Sequence, residues 1–131
     1  MKKITIKKRM IFEAAHHLLN YKGKCSNNHG HSWKLEVEIS ATEDRIHWNN
    51  GMIIDYSVLK KFIEEHILFE LDHRDLNELN LEFNNPTSEN LAVWIFDKLK
   101  EVLNNEFEWI KLESISLKET ENSECIVKEI D

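Results

Sequence analysis

Strict alternation of apolar and polar residues between positions 31 and 41 limits the folds open to this chain more than any other feature. Every second residue there is apolar, and charged or hydroxyl-bearing residues lie between them; the apolar set is Trp33, Leu35, Val37 and Ile39. Successive side chains of a strand point to opposite faces, so this pattern predicts a strand with one buried and one wet face over residues 31–41. A similar period predicts an earlier strand over residues 3–13.

Helical spacing replaces this period in the middle of the chain. Apolar residues recur every three to four positions over residues 56–70 and again over residues 88–104, which predicts two amphipathic helices. The strand period returns at residues 115–119, and a short apolar run starts at Cys125. Strands and helices segregated in the order ββααββ are typical of α+β proteins. We therefore expect a four-stranded antiparallel sheet with two helices on one face.

Size and charge exclude several classes of protein. The 131 residues suit one domain, which we place at residues 1–131. The formal net charge is −7 and no basic run is longer than residues 7–9, which opposes a nucleic-acid surface. Charged residues interrupt the apolar ones soon after Met1, so the sequence predicts neither a signal peptide nor a membrane span and favours a cytoplasmic protein.

Three histidines near the two strands predict a metal site. His29 and His31 flank Gly30 at the start of the second strand, where alternate side chains lie on the same side. His16 follows the first strand, and a hairpin between the strands would bring it beside the other two. Three imidazoles suit Zn²⁺ and leave a fourth position open, which is typical of catalytic zinc. Two alternatives remain, a coincidental surface pair of histidines or a ligand role for His17 instead of His16.

A single cysteine lies close to these histidines. Cys25 is four residues before His29 and close to Lys22 and Lys24. Positive charge nearby favours the thiolate, so Cys25 can act as a catalytic base. Two other interpretations are an unreactive loop thiol and a fourth zinc ligand, which would make the metal structural.

Two acidic residues are also candidates for the site. Asp72 precedes His73, and an adjacent carboxylate can hold an imidazole in one tautomer for proton transfer, although helix capping explains such a pair equally well. Glu119 shares the apolar face of Ile115 and Leu117, where a carboxylate needs a partner such as a ligand with two parallel N–H donors. The alternative is that Glu119 lies in water at a frayed strand end.

Six short motifs in order resemble the family of 6-pyruvoyltetrahydropterin and 6-carboxytetrahydropterin synthases. Together they span residues 12–127. The motifs are Phe12-Glu13-Ala14-Ala15-His16, then Lys24-Cys25 with His29-Gly30-His31, Gly51-Met52-Ile53-Ile54-Asp55-Tyr56, Leu71-Asp72-His73 with Leu76-Asn77, Asn85-Pro86-Thr87-Ser88-Glu89-Asn90-Leu91-Ala92, and Lys118-Glu119-Thr120. None is decisive alone, but their order and spacing are specific in combination.

The resemblance implies a role for each candidate residue and a mode of assembly. It implies zinc binding by His16, His29 and His31, proton transfer by Cys25, Asp72 and His73, and pterin-ring binding by Glu119. It also implies the tunnelling fold, in which the sheets of several subunits join into a barrel, usually in a homohexamer. Active sites then lie at subunit interfaces, where Asp72 and His73 of one subunit serve Cys25 of another.

The spacer between Cys25 and His29 distinguishes two reactions within that family. It consists only of residues 26–28. This short spacer resembles that of the bacterial 6-carboxytetrahydropterin synthases of queuosine and deazapurine biosynthesis. The resemblance implies a zinc-dependent lyase that converts 7,8-dihydroneopterin triphosphate to 6-carboxytetrahydropterin, acetaldehyde and triphosphate. One alternative is the 6-pyruvoyltetrahydropterin reaction, which eliminates triphosphate without loss of carbon. An alternative of another class is a non-catalytic, zinc-stabilised binding module.

Overall fold

The computed structural model describes residues 1–130. Within them the strands are β1 (Lys3–His16), β2 (His29–Thr42), β3 (Arg74–Asp75), β4 (Lys111–Thr120) and β5 (Ser123–Val127). The α-helices are α1 (Glu43–His47), α2 (Tyr56–Ile63), α3 (Phe69–Leu71) and α4 (Ser88–Glu106). A π-helical segment, Glu64–Leu68, joins α2 directly to α3. The predicted α+β class is confirmed.

The sheet is mixed, with the strand order β3-β1-β2-β4-β5. The pairs β1–β2, β2–β4 and β4–β5 are antiparallel, whereas β3 pairs in parallel with Ala14 and Ala15 of β1. The prediction of a four-stranded antiparallel sheet is therefore wrong in its strand count and in one pairing. Two residues are too few to show a period, so Arg74 and Asp75 carry no strand pattern in the sequence.

The helices pack on the face of the sheet that carries the alternating apolar residues. Side chains from the helices and the long strands form one core, and its largest fully buried members are Trp33, Phe12, Leu35, Ile39, Leu59, Ile63, Ile67, Leu71, Leu91, Ile95, Leu99 and Leu103. On the opposite face charged side chains pair across the strands, as Arg9 does with Glu36 at 2.6 Å between Nε and Oε2. This division into a buried and a wet face explains the alternation in the sequence.

The hairpin of β1 and β2 extends further than the sequence pattern predicted. Its register pairs His16 with His29, and Ala14 with His31. The three histidines therefore lie within the paired strands, whereas we expected His16 to follow the end of the first strand. Ladder hydrogen bonds need no apolar side chain, so pairing continues where the apolar period stops.

Both predicted helices are present, with changes at their ends. The segment predicted over residues 56–70 contains the π-helical turn, and the one predicted over residues 88–104 continues to Glu106. Helix α1 was not predicted, because its five residues are too few to show an apolar stripe. No helix in the described part of the chain combines the length and apolar character needed to span a bilayer.

Candidate metal centre and active site

Three histidines and one glutamate meet at one end of the sheet. His16 comes from β1, His29 and His31 come from β2, and Glu119 comes from β4. One potential ligand atom of each residue lies within 4.8 Å of those of the other three. The hairpin register explains the histidine cluster, because it places His29 directly opposite His16 and puts His31 two residues further along the same strand. Together these four side chains can hold a metal ion.

Backbone carbonyl groups select the tautomer of two of the imidazoles. Nδ1 of His16 lies 2.7 Å from the carbonyl oxygen of Pro86, and Nδ1 of His29 lies 2.7 Å from that of Asn27. A carbonyl oxygen only accepts, so each Nδ1 must carry the proton and donate. Each Nε2 then keeps a free lone pair, which is the arrangement that orients histidine ligands in metal sites.

Two buried ring nitrogens of the cluster have no hydrogen-bond partner in the described part of the chain. Nε2 of His16 and Nε2 of His31 are buried, and neither has a hydrogen-bond partner among the described residues. Oε1 of Glu119 lies 2.9 Å from the first and 3.4 Å from the second, in directions that do not suit a hydrogen bond. A buried ring nitrogen without a hydrogen-bond partner is unfavourable unless another group, such as a cation, binds it. The residues present therefore fit a metal ion.

Burial also favours the neutral form of one of the imidazoles. The pKa of His31 is lowered, mainly by desolvation and further by His16 and His29, and the Glu119 carboxylate only partly opposes this shift. A lower pKa means that the ring loses its proton more readily near neutral pH. Neutral imidazole is the form that binds metal ions.

The loop before α4 holds the carbonyl group that orients His16. The Thr87 side chain accepts a hydrogen bond from the backbone N–H of Asn90 at 3.1 Å and so caps the helix. The Asn90 side chain donates back to the carbonyl oxygen of Asn85 at 2.9 Å, which closes the loop around Pro86. Pro86 and Asn27 were not predicted as members of the site, because a backbone carbonyl has no residue-type signature.

Asp72 and His73 form a pair beside β1. Oδ2 of Asp72 lies 3.0 Å from Nδ1 of His73, and its Oδ1 accepts from the backbone N–H of Glu13 at 2.9 Å. The Glu13 N–H is the main reason why the pKa of Asp72 is lowered, with smaller contributions from His73. A hydrogen bond from Nδ1–H of His73 to an ionised Asp72 would leave Nε2 of His73 free to exchange a proton. The structure thus places the two side chains next to each other, and the orientation of His73 by Asp72 stays a prediction.

His73 is exposed and has an unusual backbone conformation. Its side chain is 78% exposed, and its φ angle is +60°, in the left-handed region that residues with a β-carbon seldom adopt. An open depression in the surface is lined by both His31 and His73. His73 therefore lies near the histidine cluster, with most of its side chain open to solvent.

Cys25 does not join the metal cluster. It lies in a single 3₁₀ turn, Lys24–Ser26, as a partly exposed free thiol. Its backbone carbonyl accepts from the N–H of Leu18 at 2.7 Å. Among the described residues, the fourth member of the group of mutually close ligand atoms is Glu119 and not Cys25. His17 is also outside this group.

The fold and this site together define a class, an α+β protein with a candidate metal centre at one end of its sheet. Within that class the chain belongs to the 6-pyruvoyl tetrahydropterin synthase family, whose model matches residues 5–129.

Relatives with either of two names are similar over most of the chain. The 6-carboxy-5,6,7,8-tetrahydropterin synthase of Synechocystis sp. is 42% identical over 73% of this chain and 74% of its own length. The protein of the same name from Haemophilus influenzae is 36% identical over 95% of this chain and 98% of its own. The solved structure of Caenorhabditis elegans 6-pyruvoyl tetrahydropterin synthase superimposes with a TM-score of 0.79 at 29% identity, over 99% of this chain and 98% of that one.

Proposed function

We propose that this protein is a zinc-dependent lyase that converts 7,8-dihydroneopterin triphosphate to 6-carboxy-5,6,7,8-tetrahydropterin, acetaldehyde and triphosphate, in a pathway to queuosine or related deazapurines. The observation that supports it most is the cluster of His16, His29, His31 and Glu119, with two buried ring nitrogens that lack a partner. Family membership and the names of the bacterial relatives support the product.

His16, His29 and His31 would hold the zinc ion in this proposal. Zinc bound there would act as a Lewis acid on the hydroxyl groups of the substrate side chain and make the neighbouring C–H protons more acidic. Three neutral imidazoles leave the ion its positive charge and an open coordination position. The hydrogen bonds to Pro86 and Asn27 would hold two of the rings in their ligand orientation.

Proton transfer falls to Cys25 and to the pair of Asp72 and His73. Cys25 would remove the first proton as a thiolate. His73 would then receive and return protons at Nε2, because Asp72 occupies Nδ1. The reduction of the dihydropterin ring to a tetrahydropterin needs no external reductant, since the side chain is oxidised as the ring is reduced. Water supplies the remaining oxygen of the carboxyl group when the carbon chain is cleaved.

Active sites shared between subunits would bring these groups together. His73 projects into solvent, and β1 is paired on its outer side only at Ala14 and Ala15 within the described residues. Free sheet edges favour association with another strand. We propose a homohexamer in the cytoplasm, in which Asp72 and His73 of one subunit meet Cys25 of its neighbour.

Glu119 has two possible partners, the pterin ring and the metal, and we assign it to the ring. Its carboxylate would accept parallel hydrogen bonds from the amino and ring N–H groups. We expect Glu119→Gln to retain zinc but to raise KM by roughly tenfold to a hundredfold, because charge-assisted hydrogen bonds contribute about 1.5–3 kcal/mol. Metal analysis and steady-state kinetics would measure the two effects, with Glu121→Gln at an exposed position as the control. Loss of zinc from the Glu119→Gln variant would instead show that Glu119 is a metal ligand.

Product analysis tests the proposed reaction itself. Incubation with 7,8-dihydroneopterin triphosphate should release one acetaldehyde for each triphosphate and yield a carboxypterin, because cleavage of the three-carbon side chain leaves one carbon on the ring. Aldehyde trapping and chromatography of the pterin would measure both products, with the Cys25→Ala protein as the blank. Triphosphate release without aldehyde would establish the 6-pyruvoyltetrahydropterin reaction. Zinc binding without turnover would establish the binding module.

A further inference from the structure

The side chain of Asn77 forms hydrogen bonds with the backbone of His17, the residue that follows the proposed metal ligand His16. Its Oδ1 accepts from the backbone N–H of His17 at 2.8 Å, and its Nδ2 donates to the carbonyl oxygen of the same residue at 3.0 Å. One carboxamide thus satisfies both backbone groups of His17, as a neighbouring strand would. The two opposite bonds also determine which end of the amide is oxygen and which is nitrogen.

This contact continues a ladder of hydrogen bonds between residues 72–77 and the end of β1, including His17 just after the strand. The ladder begins at Glu13, whose N–H donates to Asp72 and whose carbonyl accepts from the N–H of His73. It continues through the parallel pairing of β3 with Ala14 and Ala15, and it ends at His17 with Asn77. A strand of two residues is thus extended at both ends by side chains. His16 lies between Ala15 and His17, the last two residues that this ladder holds.

A second carboxylate connects the ladder to the other half of the metal cluster. Oδ1 of Asp75 accepts from the backbone N–H of Asn77 at 3.1 Å, which holds the carboxamide in place. Oδ2 of Asp75 accepts from the side chain of Asn28 at 3.4 Å, and Asn28 immediately precedes His29. The segment that carries the acid–base pair is therefore joined to both strands that carry imidazoles.

We propose that Asn77 is a positioning residue for metal binding, because its carboxamide sets the backbone at the end of β1 and thereby the position of the His16 imidazole. This inference rests on the proposed metal site. Metal–ligand distances vary by only about 0.2 Å, so a small rotation of the strand end takes an imidazole out of range. Asn77 touches neither the metal position nor the substrate in this assignment, and it acts only through His16.

Removal of the carboxamide should weaken metal binding without removing a ligand. We expect Asn77→Ala to bind zinc about tenfold to a hundredfold more weakly, the usual cost of losing an outer partner of a metal ligand. Chelator competition would measure the affinity, and the visible absorption of the Co²⁺-loaded protein would report distorted ligand geometry. Hydrogen exchange of metal-free protein should show faster exchange at the amide of His17. Asn80→Ala, at an exposed position three residues further on, is the matched control.

Asn77→Asp provides a second test should the alanine variant fail to fold. Its carboxylate keeps an acceptor for the His17 N–H but loses the donor to the His17 carbonyl, so zinc affinity and the Co²⁺ spectrum should also change. Wild-type zinc affinity and an unchanged Co²⁺ spectrum in a folded variant would overturn the inference alone. Failure of the wild-type protein to bind zinc would overturn the proposed function and the inference together.

Discussion

Replacement of Cys25 by alanine should lower kcat by at least about a hundredfold and leave zinc content and melting temperature at their wild-type values. Loss of a general base typically costs about 10²–10⁴ in rate. Fold and metal should survive because Cys25 lies in a partly exposed turn and its thiol is outside the ligand cluster. Single-turnover kinetics, metal analysis and thermal melting would measure the three quantities. Cys125→Ala, at the half-buried cysteine of β5, is the control and should stay active.

Two results would assign Cys25 otherwise. A Cys25→Ala protein that lost zinc and unfolded would make the thiol a structural ligand, and one with full activity would make it an idle loop residue. Mixing this variant with His73→Ala tests the shared site as well. Reassembly of the two inactive proteins at equal amounts should restore about a quarter of wild-type activity if each site combines Cys25 and His73 from different subunits. No restoration would place both residues in one chain.

Replacement of His31 by alanine should abolish stable zinc binding and, with it, turnover. The loss of affinity should exceed about a hundredfold, the upper end of the cost of losing only an outer partner of a ligand. We expect a large effect because the other three side chains lie on paired strands and cannot move into the place of His31. Chelator competition would measure the affinity, and His47→Ala, at an exposed histidine at the end of α1, is the matched control. Zinc binding at wild-type strength would remove His31 from the site.

Residue periods were sufficient to predict the long elements and the meeting of the histidines. The alternation around Trp33 and Leu35 identified β2, and the same-face rule for strands placed His29 beside His31. An antiparallel hairpin then brings the end of β1 to the start of β2, which is why the sequence alone could predict that His16 joins the other two histidines. Local rules suffice here because the hairpin is formed by neighbouring segments of the chain.

Features that depend on distant segments or on backbone groups could not be predicted. The approach of Glu119 to the imidazoles depends on the register between β2 and β4, which includes a bulge between Glu38 and Ile39. The orientation of His16 depends on the carbonyl group of Pro86, and any residue has such a group. Strand β3 depends on hydrogen bonds to β1 and not on apolar side chains. None of these leaves a pattern in the order of residues.

The left-handed backbone at His73 puts folding stability and chemistry in competition at a single position. A residue with a β-carbon in that region costs about 1–2 kcal/mol relative to glycine. Engineering for heat resistance alone would therefore select glycine at this position and remove the imidazole to which we assign proton transfer. Any programme to stabilise this scaffold for industrial use would have to exempt position 73 and gain its margin elsewhere in the chain.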